Sequence, residues 1–563
     1  MSAAGGRTSG SRGDPAGANA GSCAHLMKLP EENNEMRINL VRVKTVIVML
    51  CILLTASACS AGGAQTDKDT LVIGYAGELS NFYPTMTDMH NKPVIQLVYD
   101  MLVRYEDGEI KPGLATEWTF NEAGTELTLK IRQGVKFHDG EPLNAAAVIA
   151  NLEYYRNEGN ASFLKAVSAI EKLEALDEYT VKVTYQAPYY PVLHDLCTPY
   201  LAIVSPASII KDNYQAMNGT IGTGPYIHES FAKGEQTVFK KNKDYWGEEP
   251  AFERIIVKYV PDPATRLKAL QTGEIDAVFS STMITNNEFK QAASMSGVQG
   301  KTSKGSRTRA LALNASGENL GDLRVREAIA HAINKQEIAE GLTFGYETAA
   351  DEMFEGIPYI QNGLRTQRVY DVQQAAKLLD EAGWKLNEST GYREFNGKPM
   401  KLRFTYETGD AFNKELAAAL QGQLKEVGLQ VEVEGTDVMT WWTECVEGKF
   451  DITIWGSKGA PEDPHHFIGP MLDQTAHTAA MSALPEAADI KERIMKVLHT
   501  RDEAAIASGY EFLLSYLNDQ VIVIPVTHAK ELILYRSDKV ADYTFGGLEN
   551  GFNPAGVQKA VTR

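Results

Sequence analysis

The sequence predicts an α/β protein of two or more lobes, and three observations carry that expectation. At 563 residues and 61.8 kDa the chain exceeds what one hydrophobic core organises. Its composition, 44% hydrophobic and 23% charged, is that of an ordinary globular protein. Around residues 371–434, helical periodicity runs directly into strand periodicity, which is the mark of α/β layering.

The amino terminus reads as a targeting signal. From Met36, Arg37, Arg42 and Lys44 form a basic region, residues 46–55 an apolar run, and Ala56-Ser57-Ala58 a small-residue site. Cleavage is therefore expected before Cys59, leaving residues 36–58 as signal peptide. The Cys after small residues resembles a bacterial lipobox, with Ala56 where Leu is usual, so Cys59 is the expected lipidation site; an ordinary secretory signal is the alternative. Residues 59–69 are polar and small enough to serve as a flexible lipid-anchored tether. Residues 1–35, rich in Gly and Ser without apolar period, are expected to lie outside the native protein or to be disordered. No later apolar run reaches membrane-spanning length.

Downstream, LVIGYAG (71–77) alternates like an exposed edge strand, and TELTLKIR (125–132) like a half-buried one. NAAAVIANLEYY (144–155) reads as helix. In DVQQAAKLLDEAGW (371–384), Asp371 caps a helix whose face is Ala375, Leu378, Leu379 and Ala382, with Gly383 as its stop. Leu416, Leu420, Leu424 and Val427 line the next helix, which ends at Gly428 and passes into the strand LQVEVE.

Several function classes are disfavoured. A formal net charge of −18 argues against nucleic acid and anionic lipid as partners. After Cys59 only Cys197 and Cys445 remain, too few for a disulfide framework and without C-x-x-C spacing; both read as small buried hydrophobes rather than soft metal ligands. G-x-S-x-G, Walker and H-E-x-x-H motifs are missing, so an enzyme is not expected; a secreted hydrolase stays open as the alternative of another class, because triads are set by geometry.

PGLATEW (112–118), KIRQGVKFHDGEPLNA (130–145), GTGPY (222–226), NKDYWG (242–247), VPDPATRLKALQTGEIDAV (260–278), LRVREAIAHAINK (323–335) and AAKLLDEAGW (375–384) together resemble the successive signatures of the nickel/dipeptide/oligopeptide class of ABC-importer solute-binding proteins. Each also has a local sense: the glycines of GTGPY permit close backbone approach, and VPDP opens a capped helix. The resemblance implies a two-lobe periplasmic-binding-protein fold of the large cluster, with an extra subdomain and a hinge of two crossovers. Domain I would comprise residues 70–309 with 526–563, domain II residues 310–525, and the crossovers would lie near Arg309-Ala310-Leu311 and near Pro525.

Within that resemblance, GAPEDPHHFIGPMLDQTAHT (459–478) lines the cleft. Dipeptide-binding relatives carry G-D-x-x-D-P there, the first Asp pairing with the peptide ammonium; Ala460 replaces it here, which counts against short peptides. Nickel-binding relatives carry W-G-A-P-Y-D-P-H and a metal-ligating His beyond a Met, a pattern that puts His477 within one residue of the ligand position. A polar loop residue is the competing reading of His477. Adjacent His465 and His466 are expected to diverge, with His465 structural. The two arginines that hold a chelator's carboxylates in those relatives align with Asn160 and Tyr200. Phe163 keeps an aromatic, Tyr75 replaces a Trp, and Trp442, rather than its neighbour Trp441, stands for a Tyr. Lys458 and Glu462 occupy Trp and Tyr positions, with Trp455 near enough to shift into register.

The expected function is capture of Ni(II) or another divalent metal chelate as cargo, with no permanently bound cofactor, and delivery to an ABC permease with its ATPase subunits. An oligopeptide is the alternative cargo. The protein is expected to act as a monomer, in the periplasm or on the outer face of the cytoplasmic membrane, anchored through Cys59.

Overall fold

The computed structural model describes residues 67–563 except 80–81, 83, 85–91, 158–163, 211–218, 281, 355–366, 460–463, 474, 549–550 and 562–563. The expected signal, the lipidation site Cys59 and the candidate cleft residues Asn160, Phe163 and Glu462 lie outside the described residues. Among those described, no helix is long and apolar enough to cross a membrane.

One mixed sheet of eleven strands is the spine of the fold. On one side stand Thr70–Tyr75, Tyr226–Ala232, Gln236–Lys241, Arg254–Tyr259 and Ala277–Phe279; on the other, Lys401–Glu407, Gln430–Thr436 and Ile452–Ile454. Two long antiparallel strands, Val298–Leu313 and Val523–Arg536, run through both halves and join them. Ile533–Tyr535 pair with the first half, while Leu311–Leu313 pair with the second. These two strands are the hinge crossovers of a two-lobe α/β fold. Ala310 faces Pro525 across the ladder, and the register shifts between Arg309 and Ala310. A separate four-stranded antiparallel sheet, built from Ala115–Phe120, Glu126–Ile131, Ile170–Asp177 and Thr180–Tyr185, forms the extra subdomain.

Local signals are realised where local chemistry decides. Asp371 accepts hydrogen bonds from the backbone N–H groups of Gln373 and Gln374 (both 2.9 Å) and starts the helix Val372–Glu381. Asp262 caps Pro263–Thr272 through Thr265 N (2.8 Å). Leu416, Leu420, Leu424 and Val427 are all buried along Ala411–Glu426 and beyond its end. GTGPY is a close-approach site: a Cβ on Gly222 would meet the Val98 carbonyl oxygen at 2.1 Å, and one on Gly224 would meet the Val98 carbonyl carbon at 2.5 Å.

One expectation is corrected. The strand Thr70–Tyr75 is not an edge: it pairs in parallel with Arg254–Tyr259 and with Ala277–Phe279, and all six residues are buried. Parallel strands are covered on both faces, so polarity need not alternate; Gly74 stands where an exposed residue seemed due because the side chain of Ile275 fills that space.

Buried charge concentrates at the hinge. Arg309 donates to Glu347 (3.1 Å) and Asp410 (2.8 Å), Arg307 donates to Asp410 (2.6 Å), and Thr527 donates to Glu347. The two guanidiniums hold the Asp410 carboxyl down to about 2 against the opposing effect of its burial. Each Arg thus has a carboxylate partner, the condition under which buried charge persists.

The lobes meet through apolar side chains. Leu127 and Val181 of the four-stranded sheet, with Tyr189 just beyond it, share one buried cluster with Phe467, Ile494 and Tyr510 from the distant C-terminal part of the chain. Tyr190 N donates to Leu498 O (2.8 Å), and the Arg501 guanidinium lies 3.5 Å from the centroid of the Phe120 ring. Cys197 and Cys445 are both buried and outside any disulfide, and burial pushes the Cys445 thiol up to about 11, in keeping with an inert role.

Candidate functional site

Two groups of ring side chains occupy the segment that the sequence singled out. The first is aromatic. Asp437 caps the helix Val438–Val446 by accepting from Met439 N and Thr440 N, and so presents Trp441 and Trp442. Both indoles pack on Trp455, with centroids 4.9 and 5.1 Å from it. Trp441 is anchored by donating from Nε1 to Thr453 Oγ1 (2.9 Å), whereas Trp442 is 39% exposed. Consecutive tryptophans therefore share one partner ring while differing in access to solvent.

His477 closes this group. It sits on the short helix Ala476–Met481, capped by Thr475 through Thr478 N, and is 1% exposed. Its ring meets Trp455 edge-on at 5.8 Å and Phe467 at 4.9 Å. Its Nε2 has no hydrogen-bond partner among the described residues. Burial pushes its conjugate acid down to about 3, so the imidazole is neutral at physiological pH and keeps a lone pair. A neutral imidazole against an indole wall is a metal donor in an apolar setting.

The second group straddles the lobes. His465 and His466 begin the single-turn helix His465–Ile468, and their ring centroids lie 4.8 Å apart at 71°. The expectation that these rings diverge is not met, because one turn of helix pressed against the other lobe gives both rings the same neighbour. His466 donates from Nε2 to Asp195 Oδ1 (2.8 Å). Asp195 is fully buried and also accepts from Ala166 N (3.1 Å). His194 stacks obliquely on His465 at 5.0 Å, and burial depresses its conjugate acid to about 4, opposed by the adjacent Asp195 charge. Burial likewise holds His465 well below the ordinary range.

The remaining candidates are dispersed. Tyr75 is fully buried in the first lobe, its ring stacked on Phe279 at 5.8 Å. Tyr200 lies half-buried in the 3₁₀ turn Pro199–Leu201 against the shared core. Lys458 is exposed, one residue after Ser457, whose Oγ accepts from Thr308 N (2.9 Å) and ties this loop to the hinge strand. Of the predicted site residues, the structure brings together Trp442, Trp455 and His477. Sequence reasoning missed Asp195 and His194; the only available signal was their adjacency in VLHDL, a string that does not disclose which histidines stand opposite.

The model of the bacterial extracellular solute-binding proteins, family 5 Middle, matches residues 109–478. The nickel-binding periplasmic protein of Escherichia coli (strain K12) is 31% identical over 451 residues, covering 78% of this chain and 86% of that protein. The glutathione-binding protein GsiB of Escherichia coli O157:H7 is 30% identical over 413 residues, covering 71% of this chain and 75% of that one. Among solved structures, NikA from Brucella suis in complex with Fe(III)-EDTA superposes with a TM-score of 0.83 at 31% identity, covering 87% of this chain and all of that one. A two-lobe α/β architecture agrees with these likenesses, and the chain belongs to the family 5 bacterial extracellular solute-binding proteins.

Proposed function

We propose that this protein captures a nickel or related divalent metal chelate between its lobes and delivers it to an ABC permease. The observation that carries the reading is His477: a buried, neutral imidazole, its Nε2 unpaired among the described residues, set edge-on against the Trp455 wall. In this reading His477 supplies one bond to the metal, while Trp442 and Trp455 grip the chelator. The resemblance assigns Tyr75, Asn160, Phe163, Tyr200, Lys458 and Glu462 to the same cleft, although Tyr75 is buried against Phe279 and Tyr200 packs on the core, with domain I as 70–309 plus 526–563 and domain II as 310–525. Asn160 and Tyr200 carry no positive charge, so a chelator with fewer carboxylates than EDTA suits them better. Cys59 anchors the mature chain to the membrane, and the protein acts as a monomer.

An oligopeptide is the second reading, favoured by the 30% identity to the glutathione-binding protein. Calorimetric titration of Ni(II) with free histidine, and with other small chelators, into wild type and His477→Ala separates the two. The metal reading expects the variant to bind about 10- to 100-fold more weakly while still folding. Undiminished affinity of His477→Ala for every complex the wild type accepts overturns the metal-ligand assignment. Tight binding of an oligopeptide by a wild type that accepts no metal complex installs the second reading instead.

A further inference from the structure

The geometry points to a second metal site, in which Asp195, His465 and His466 hold a divalent first-row transition ion between the two lobes. One donor atom from each of the three lies within 4.8 Å of the others. An octahedral ion with bonds of about 2.1 Å holds adjacent donors about 3 Å apart and opposite donors about 4.2 Å apart. The His466 Nε2 to Asp195 Oδ1 distance of 2.8 Å already matches an adjacent pair. The widest separation needs to contract by only about 0.6 Å. Two imidazoles and one carboxylate are a donor set that suits such ions and leaves coordination positions for water.

An independent observation points to a ligand at the same place. His465 is 2% exposed, and its Nε2 makes no hydrogen bond among the described residues. A buried ring nitrogen without a partner calls for an occupant, and a metal ion is one that an imidazole lone pair accepts directly. His194, whose Nδ1 also lacks a hydrogen bond among the described residues, flanks His465 at 5.0 Å. The carboxylate and the histidine pair are 271 residues apart in sequence and belong to opposite lobes under the proposed boundary. An ion held here therefore binds the closed arrangement in preference to the open one, and the site exists only when the lobes meet. It is separate from the His477 cargo site and needs no chelator.

The test uses the full mature protein, stripped of metal, with Zn(II), Ni(II) or Co(II) chloride alone. Wild type should take up one equivalent of chelator-free ion; His466→Ala should weaken that binding at least tenfold, and His477→Ala should leave it unchanged. In His466→Cys loaded with Co(II), a sulfur-to-metal charge-transfer band absent from wild type should appear. Equal affinity in wild type and His466→Ala overturns the site. So does loss of the chelator-free ion in His477→Ala but not in His466→Ala, which assigns that ion to the aromatic group. Should His466→Ala fail to fold, the Cys variant decides, and absence of its band overturns the proposal. Failure of the cargo reading shows only in titrations with chelates and leaves these outcomes unaffected.

Discussion

Replacing Asp410 by Asn removes one charge from the hinge while keeping the side chain's shape and its capping oxygen for Phe412 N. The carboxyl is held at about 2 against an ordinary value of 3.8. Held that far down by its two arginines, the carboxylate stabilises the folded state by roughly 2 to 3 kcal/mol. Because the folded value is depressed, this contribution is fully present above about pH 5, half gone near pH 3, and lost as pH falls through 2. At neutral pH Asp410→Asn should therefore lose roughly 2 to 3 kcal/mol, with Arg307 losing its carboxylate partner. If all ~500 folded residues unfold as a unit, the unfolding entropy of about 1 kcal/mol/K converts this into a fall in Tm of about 2 °C; if one lobe of ~200 residues unfolds alone, the fall is about 5 °C. Calorimetry at pH 7 and pH 3 measures both the fall and its pH dependence. A variant whose Tm at pH 7 is within 0.5 °C of wild type, or whose deficit does not shrink at pH 3, refutes the electrostatic account.

Two further outcomes are expected. Gly222→Ala puts a methyl 2.1 Å from the Val98 carbonyl oxygen, a backbone atom that cannot turn aside, so its unfolding free energy from urea titration should drop by an amount typical of severe overpacking, about 3 kcal/mol; a midpoint equal to wild type would show that the GTGPY turn yields easily. Cys59→Ala should move the protein from the membrane to the soluble fraction of its host, and continued membrane association would remove the lipid anchor from the account.

Caps and stops were legible because they are local. Asp262 and Asp371 each act on amides two or three residues ahead, and the sequence places donor and acceptor side by side. Arg309, Ala310 and Pro525, where the resemblance expects the crossovers, lie on the two joining strands, and the strand sequence VQGKTSKGSRTRALAL has no clean alternation that announces its 16 residues. What was not legible depends on distant neighbours. Thr70–Tyr75 looked half-exposed because its covering residues, such as Ile275, come from elsewhere in the chain. Adjacency in sequence argues for divergent His465 and His466 rings, but Asp195, which draws His466 in, stands 271 residues away. The grouping of Trp442, Trp455 and His477 was partly foreseen, since all three came from aligned motifs, but the Trp441 and Phe467 contacts that lock it were not.

The ladder between Val298–Leu313 and Val523–Arg536 shifts register three times between Thr302 and Ala310, along the stretch between the parts that pair with each half of the sheet. There the sheet narrows towards a ribbon, flanked on one side by the short strand Thr348–Ala349 and on the other by the hydrogen bonds of Trp455 and Ser457 to Ala310 and Thr308. Narrow ribbons coil more tightly than broad sheets, and each irregularity adds to the coil. Such a ribbon behaves as a torsion spring: it resists stretching, because its hydrogen bonds act in parallel, yet winds and unwinds with little resistance. A swivel about such a ribbon would cost less than a slide along it, so that whatever one jaw presents would meet the same spot on the other.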